Sequence, residues 1–179
     1  MSHDLLELGI GWPQVIVLLV ALQRVSELIL AQRNTRRLLA QGAVEHGVRH
    51  YPLFVLLHGG WLVALWLAVP PTASIDAALL VLFCGLQAAR IWVIASLGPF
   101  WTTRILTLPE APLVARGPYR WFKHPNYLVV ACEIPLLPLV FGAWQLALVF
   151  GVANLALLAY RIRVEDAALA PRRDLRTHP

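Results

Sequence analysis

Residues 75–97 read IDAALLVLFCGLQAARIWVIASL, a 23-residue run broken by one acid at its start and one arginine toward its end. At about 1.5 Å per residue, a helix of this length crosses a ~30 Å hydrocarbon core. Three more stretches have the same character: 12–31 (WPQVIVLLVALQRVSELILA), 51–70 (YPLFVLLHGGWLVALWLAVP) and 143–160 (AWQLALVFGVANLALLAY). A fifth, 127–141 (YLVVACEIPLLPLVF), is short and holds Pro135 and Pro138. Proline removes a helical hydrogen bond and kinks the chain, so this segment is expected to form a kinked hairpin with 143–160 across Gly142. The expected fold is all-α: an integral membrane bundle of about five transmembrane helices, the last two a hairpin, with residues 1–179 as one domain.

Composition agrees. Of the 179 residues, 59% are hydrophobic and 14% charged, where soluble domains carry about a quarter charged residues. A formal charge of +5 would suggest nucleic-acid binding in a soluble protein. Here thirteen of the 15 Lys+Arg fall in 32–50, 98–126 and 161–179, and none in 1–11, 71–74 or 142. Basic loops mark the cytosolic side of a membrane, which places the N-terminus outside, the C-terminus in the cytosol and no nucleic acid among the partners. The opening MSHDLLELG is acidic and runs on without a small-residue cleavage site, so it is not expected to be a signal peptide. Cys84 and Cys132 lie in apolar runs without Cys/His ligand spacing. They are expected to be packing residues, and no metal site is expected.

Polar chemistry gathers in two places. Residues 116–127 read RGPYRWFKHPNY. Gly117-Pro118 breaks any helix, and Pro125 pushes His124 out of helical geometry, so the stretch should be a shaped turn with a helix starting near Pro125 or Asn126. The amides of that helix start favour an anion. A plainer reading is a basic loop lying against lipid headgroups. The second place is YRIRVEDAAL at 160–169. Asn154, Arg161 and Glu165 share one helical stripe, at i, i+7 and i+11. Arg161 and Glu165 alone could be a surface i,i+4 pair, but an asparagine in lipid-spanning sequence on the same stripe argues for an interior or a cavity.

GPYRWFKHPNY followed, after the hairpin, by RIRVED at 161–166 resembles the isoprenylcysteine carboxyl methyltransferase family, whose pattern is a GxYxxxRHPxY loop, a helical hairpin, then RxxxEE. Lys123 replaces the arginine before HP and Asp166 the second glutamate, both keeping the charge; LGPFWTTRI at 97–105 resembles bacterial members. Over 98–169 the resemblance implies S-adenosylmethionine as cofactor, in a pocket formed by the loop and the last two helices and open to the cytosol. It assigns Leu113, Val114, Tyr119, His124, Pro125, Asn126, Tyr127 and Glu165 to the cofactor and Arg161 to the substrate, with Arg161 and Glu165 as the catalytic pair. Arg104, Trp101 and Asn154 join the substrate side.

The residue types suit methyl transfer from a sulfonium, where catalysis rests on positioning and water exclusion. A carboxylate can grip ribose hydroxyls or the amino acid portion of the cofactor. Aromatic faces can lie against a cation, and a buried arginine keeps a carboxylate or phenolate ionised. No GxGxxG occurs among the 11 glycines, which speaks against a Rossmann-type enzyme. The implied acceptor is lipophilic: a long-chain phenol or pyrone lipid first, a prenylcysteine-like carboxylate second, met among the lipids of a bacterial inner membrane. HPNY also resembles the loop of sterol reductases, which use NADPH, but those commonly continue HPNYxGE where this chain reads LVV. A non-catalytic membrane scaffold of the same fold is the other alternative.

Inside the apolar runs, Arg24 and Arg90 sit at similar depth. Glu27 is expected to pair with Arg90 or Arg24, the alternative being that both arginines snorkel to the headgroups. His58 and Glu133 are expected to hydrogen-bond neighbouring helices in preference to facing a cavity.

Overall fold

The computed structural model describes residues 9–108 and 114–174. Every apolar run is a helix: α1 Trp12–Ala40, α2 Tyr51–Ala68, α3 Ala77–Leu97, α4 Pro125–Val140 and α5 Trp144–Asp174. Four are long and apolar enough to cross a membrane, α4 being the shorter one, and the chain is an integral membrane protein. Two helices outrun their apolar segments. Past residue 31, α1 continues through QRNTRRLLA, and past residue 160, α5 continues through RIRVEDAALA. Arginine, glutamate, leucine and alanine are strong helix formers, so nothing in either stretch stops the helix. The stop for α1 comes at Gly42, whose φ of 87 is the left-handed conformation that ends helices.

Local chemistry sets the other boundaries. Asp76 caps α3, its Oδ1 accepting from the amides of Ala78 at 2.9 Å and Leu79 at 3.0 Å. Pro125 opens α4 at its first position, where the missing N–H costs nothing. Gly142 turns the chain between α4 and α5, as the hairpin expectation requires. Those two helices approach closely where Gly151 faces Pro135; a Cβ on the glycine would stand 3.4 Å from the proline Cβ.

The expectation of helices alone missed one feature. Strand β1 (Val44–His46) pairs antiparallel with β2 (Ile105–Thr107), His46 facing Ile105 and Val44 facing Thr107. This ribbon ties the α1–α2 connection to the segment after α3. It brings basic loops from distant parts of the sequence to one end of the bundle.

One core cluster (Val17, Trp61, Leu65, Phe83, Ile134, Leu137 and Leu158 among others) fills the middle of the bundle. A smaller one of Ala31, Val93, Trp101 and Val129 lies toward the ribbon end. Outward positions such as Leu22, Leu67, Val81 and Val152 are exposed and apolar, as lipid contact demands. Cys84 and Cys132 are also exposed, which corrects the packing role expected for them. Each sits one residue away from the buried face of its helix, next to Phe83 and Glu133 respectively.

Between the two clusters lies a buried ion network. Arg90 holds Glu27 through Nε at 2.7 Å and Nη2 at 2.6 Å, and Glu133 through Nη1 at 3.0 Å. Arg24 reaches Glu27 and Glu133, each at 3.0 Å, and Gln87 donates to Glu133 at 2.8 Å. Glu27 thus pairs with both arginines, not one. Glu133 makes the neighbouring-helix bonds expected of it, whereas the His58 Nδ1 meets the Phe54 carbonyl of its own helix at 2.8 Å. Two cations and two anions joining α1, α3 and α4 leave no net charge to solvate. Removing one member strands its partners in a medium that cannot hydrate them, at a cost of about 3–5 kcal/mol. Glu27→Gln should therefore lower the thermal midpoint of the purified protein markedly. An unchanged melting curve would mean that the network does not hold the bundle.

Candidate functional site

The ribbon end of the bundle encloses two cavities that share a wall. The first, of about 360 Å³, lies under the 116–124 loop and is lined by Val114, Tyr119, His124, Arg104, Glu165 and Leu169 among others. The second, of about 320 Å³, extends between α1 and α2 past Val25, Leu28, Phe54, His58 and Leu62 toward the ion network. Trp101, Thr102, Asn126, Tyr127 and Arg161 border both. Each volume falls in the range of small-molecule sites.

Arg161 stands at the junction, and its neighbours fix its position. Its Nε donates to the Tyr127 hydroxyl at 2.8 Å and its Nη2 to the Thr103 carbonyl at 2.8 Å. The guanidinium lies 5.1 Å from the Phe54 ring centroid and 5.7 Å from that of Tyr127. No hydrogen bond engages its Nη1 among the described residues. The Tyr127 hydroxyl in turn donates to Glu165. One helical turn of α5 therefore delivers an acid and a base to the same tyrosine, which the i,i+4 spacing allows.

The loop reaches the cavity through constraints visible in its sequence. Gly117 has φ 57, and a Cβ there would stand 2.1 Å from Ser96 Oγ, so only glycine lets the loop lie this close to α3. His124 stacks on Tyr127 with ring centroids 5.4 Å apart, and its Nε2 is 3.1 Å from Asp166 Oδ1. Asp166 also binds Lys123 at 3.0 Å, so the two family substitutions, Lys123 and Asp166, meet each other. Burial, then the nearby Glu165 carboxylate, raises the Tyr119 hydroxyl above its ordinary range and keeps it neutral.

Most of the residues expected at the site come together. Val114, Tyr119, His124, Asn126, Tyr127, Arg161, Glu165, Arg104 and Trp101 all line the first cavity. Leu113 lies outside the described residues. Pro125 contributes the helix start rather than a cavity wall. Asn154 is fully buried and borders neither cavity; its Nδ2 donates to the Val130 carbonyl at 3.3 Å. That bond crosses from α5 to α4, and the Asn154 Oδ1 has no partner among the described residues, so the structure places this side chain between helices and outside both cavities. Arg104 is half-exposed and paired with Glu45 at 2.9 Å, its guanidinium 4.9 Å from the Tyr51 ring centroid.

Sequence reasoning missed Glu45, Thr103, Tyr51 and Phe54, which hold the two arginines in place. Glu45 is the lone acid in the 32–50 stretch, a signal that was available. Two buried polar atoms at the shared wall have no partner among the described residues, Trp101 Nε1 and Asn126 Oδ1. A donor and an acceptor left unsatisfied in one place suit a polar ligand.

Residues 78–171 match the model of the isoprenylcysteine carboxyl methyltransferase (ICMT) family. The chain is 38% identical over 164 residues to an uncharacterized protein, YpbQ, of Bacillus subtilis, covering 88% of this chain and 95% of the relative. It is 29% identical over 155 residues to an uncharacterized protein of Haemophilus influenzae, covering 82% and 88%. No solved structure matches.

His50, just before α2, is buried against the Tyr160 ring, with centroids 5.3 Å apart. Burial first, and the charge of Arg161 second, hold its imidazole below the usual histidine value. The unfolded chain therefore takes up this proton at higher pH than the folded one. Stability contributed by neutral His50 is present above pH ~6.5 and declines as pH falls toward the lowered native value. Melting curves across that interval should show this slope, and His50→Gln should flatten it. An equal slope in the variant would remove His50 as its source.

Proposed function

The chain belongs to the isoprenylcysteine carboxyl methyltransferase family, and from that premise we propose that it is a membrane O-methyltransferase that uses S-adenosylmethionine to methylate a lipophilic acceptor. The observation that carries this reading is the pair of cavities meeting at Arg161. The one under the loop is the more polar of the two; the other is largely apolar and lies between membrane-spanning helices. Two reactants of opposite character can approach a single point from different media.

In this reading the first cavity takes the cofactor. Glu165 accepts from its hydroxyls or ammonium, the unpartnered Asn126 Oδ1 offers a further acceptor, and Tyr119, His124 and Tyr127 supply ring faces. Val114, which lines this cavity, and Leu113, beside it in sequence, would complete the cofactor site. When bound, the cofactor supplies an electrophilic methyl group on a sulfonium. Arg161, held by Tyr127 and Thr103, presents its remaining N–H groups to the acceptor oxygen and keeps that oxygen ionised. Trp101 adds an indole N–H to the same wall. Buried Trp101 and the Tyr127 ring both line the junction and would limit water there, and the fixed geometry would lower the entropic part of the barrier. No side chain needs to store the proton if the acceptor arrives ionised.

The acceptor we favour is a long-chain phenol or pyrone lipid, with a prenylcysteine-like carboxylate second. Its tail would occupy the cavity between α1 and α2. The distribution of basic residues supports a cytosolic position for the ribbon end, where the cofactor would be available.

Two variants separate the roles. Arg161→Ala should cut methyl transfer to membrane lipid by about 100-fold or more while sparing S-adenosylmethionine binding. Glu165→Ala should weaken binding of the cofactor itself by roughly 10–100-fold, as loss of a charged hydrogen-bond partner does. Wild-type turnover in the first variant would refute the substrate role of Arg161, and wild-type affinity in the second would refute the grip of Glu165.

A further inference from the structure

The loop between α3 and α4 has a second face. Arg116 Nε donates to the Ser96 carbonyl at 2.8 Å, and Gly117 lies against Ser96, so the loop is clamped to the last turns of α3. From there Tyr119 turns inward to the first cavity. Trp121 turns the other way: its ring lies 6.1 Å from that of Trp92, centroid to centroid. Trp92 is half-exposed on the outward face of a membrane-spanning helix, about one turn from its end. Trp121, 66% exposed, therefore sits beside the lipid-facing surface of the bundle at headgroup depth and not out in water. Exposed Phe122 follows it, and the Arg120 guanidinium lies 5.8 Å from the Trp121 ring centroid. Aromatic rings with adjacent cations at this depth match the border between acyl chains and headgroups.

We propose that Arg120, Trp121 and Phe122 form a seat for anionic phospholipid of the cytosolic leaflet, and that lipid in this seat tightens the first cavity. Charge complementarity selects the occupant: Arg120 adjoins the exposed aromatic pair and no acid lies between residues 114 and 132, while Lys123 beyond the pair is engaged by Asp166. The coupling is short. Phe122, Lys123 and His124 all line the first cavity, and Asp166 on α5 holds both Lys123 and His124. Fixing one face of the loop restricts the other. The coupling half of the proposal rests on the cofactor reading of that cavity; the lipid seat does not.

The test uses the full chain in nanodiscs of phosphatidylcholine, with and without phosphatidylglycerol. Phosphatidylglycerol brominated on its acyl chains should quench, more strongly than brominated phosphatidylcholine at the same mole fraction, a tryptophan component that disappears in Trp121→Phe. S-adenosylmethionine should bind roughly five-fold more tightly in the anionic discs, the effect of one cation near a charged surface, and Arg120→Gln should erase that difference. Quenching that is the same in Trp121→Phe would overturn the seat. Equal affinity in the two lipids, or a lipid effect untouched by Arg120→Gln, would overturn the coupling. If S-adenosylmethionine bound in neither lipid, the coupling would fall together with the cofactor reading, and the quenching would still decide the seat.

Discussion

The structure depends on four charges buried where there is no water to hydrate them. Arg24, Glu27, Arg90 and Glu133 come from α1, α3 and α4, and each arginine is paired with both glutamates. In a bilayer, apolar side chains gain little by packing against each other instead of lipid, so helix association relies on close packing and on polar groups that must find partners. The network supplies that requirement. It fixes the rotation of α4, whose first turn carries Asn126 and Tyr127, and it closes the deep end of the second cavity. Site geometry and bundle geometry are thus set by one cluster.

At the other end of that cavity the same principle operates with fewer groups. Arg161 is buried and held by a hydroxyl, a carbonyl and two ring faces, with Nη1 left unengaged among the described residues. Each partner comes from a different element: Tyr127 from α4, Thr103 from the segment before β2, Phe54 from α2. A positioned guanidinium with spare donors at the meeting of a polar and an apolar chamber suits a reaction between a charged, water-soluble donor and a membrane-dissolved acceptor. Membership of the family makes the donor a methyl donor. The lining of the second cavity is largely apolar, in keeping with the lipophilic acceptor proposed above.

Much of this was legible in the sequence because membrane proteins write their constraints plainly. Twenty-residue apolar runs gave four helices, and the Pro135/Pro138 segment with Gly142 gave the hairpin. Glu27 and Arg90 announced a pair, since charges in such runs must have partners. Helix ends were harder to read: α1 and α5 continue past their apolar segments because helical propensity does not stop at the membrane surface. The ribbon was invisible because strands of three residues carry no periodicity, and its pairing joins segments about sixty residues apart. Asn154 misled for a physical reason. Its helical stripe does point inward, but inward at that level is the α4 backbone at Val130, and a stripe alone cannot tell a cavity from a neighbouring carbonyl.

The central claim is that the shared wall joins a cofactor site to a lipid site and that a methyl group crosses between them. The most direct measurement incubates membranes containing the protein with S-adenosylmethionine labelled in its methyl group, then extracts the lipids into organic solvent for mass spectrometry. The account predicts labelled lipid species one methylene heavier than their precursors, present with the wild-type protein and absent with Arg161→Ala. Extracts without label in both, from protein that binds the cofactor normally and is supplied with native lipids, would contradict it.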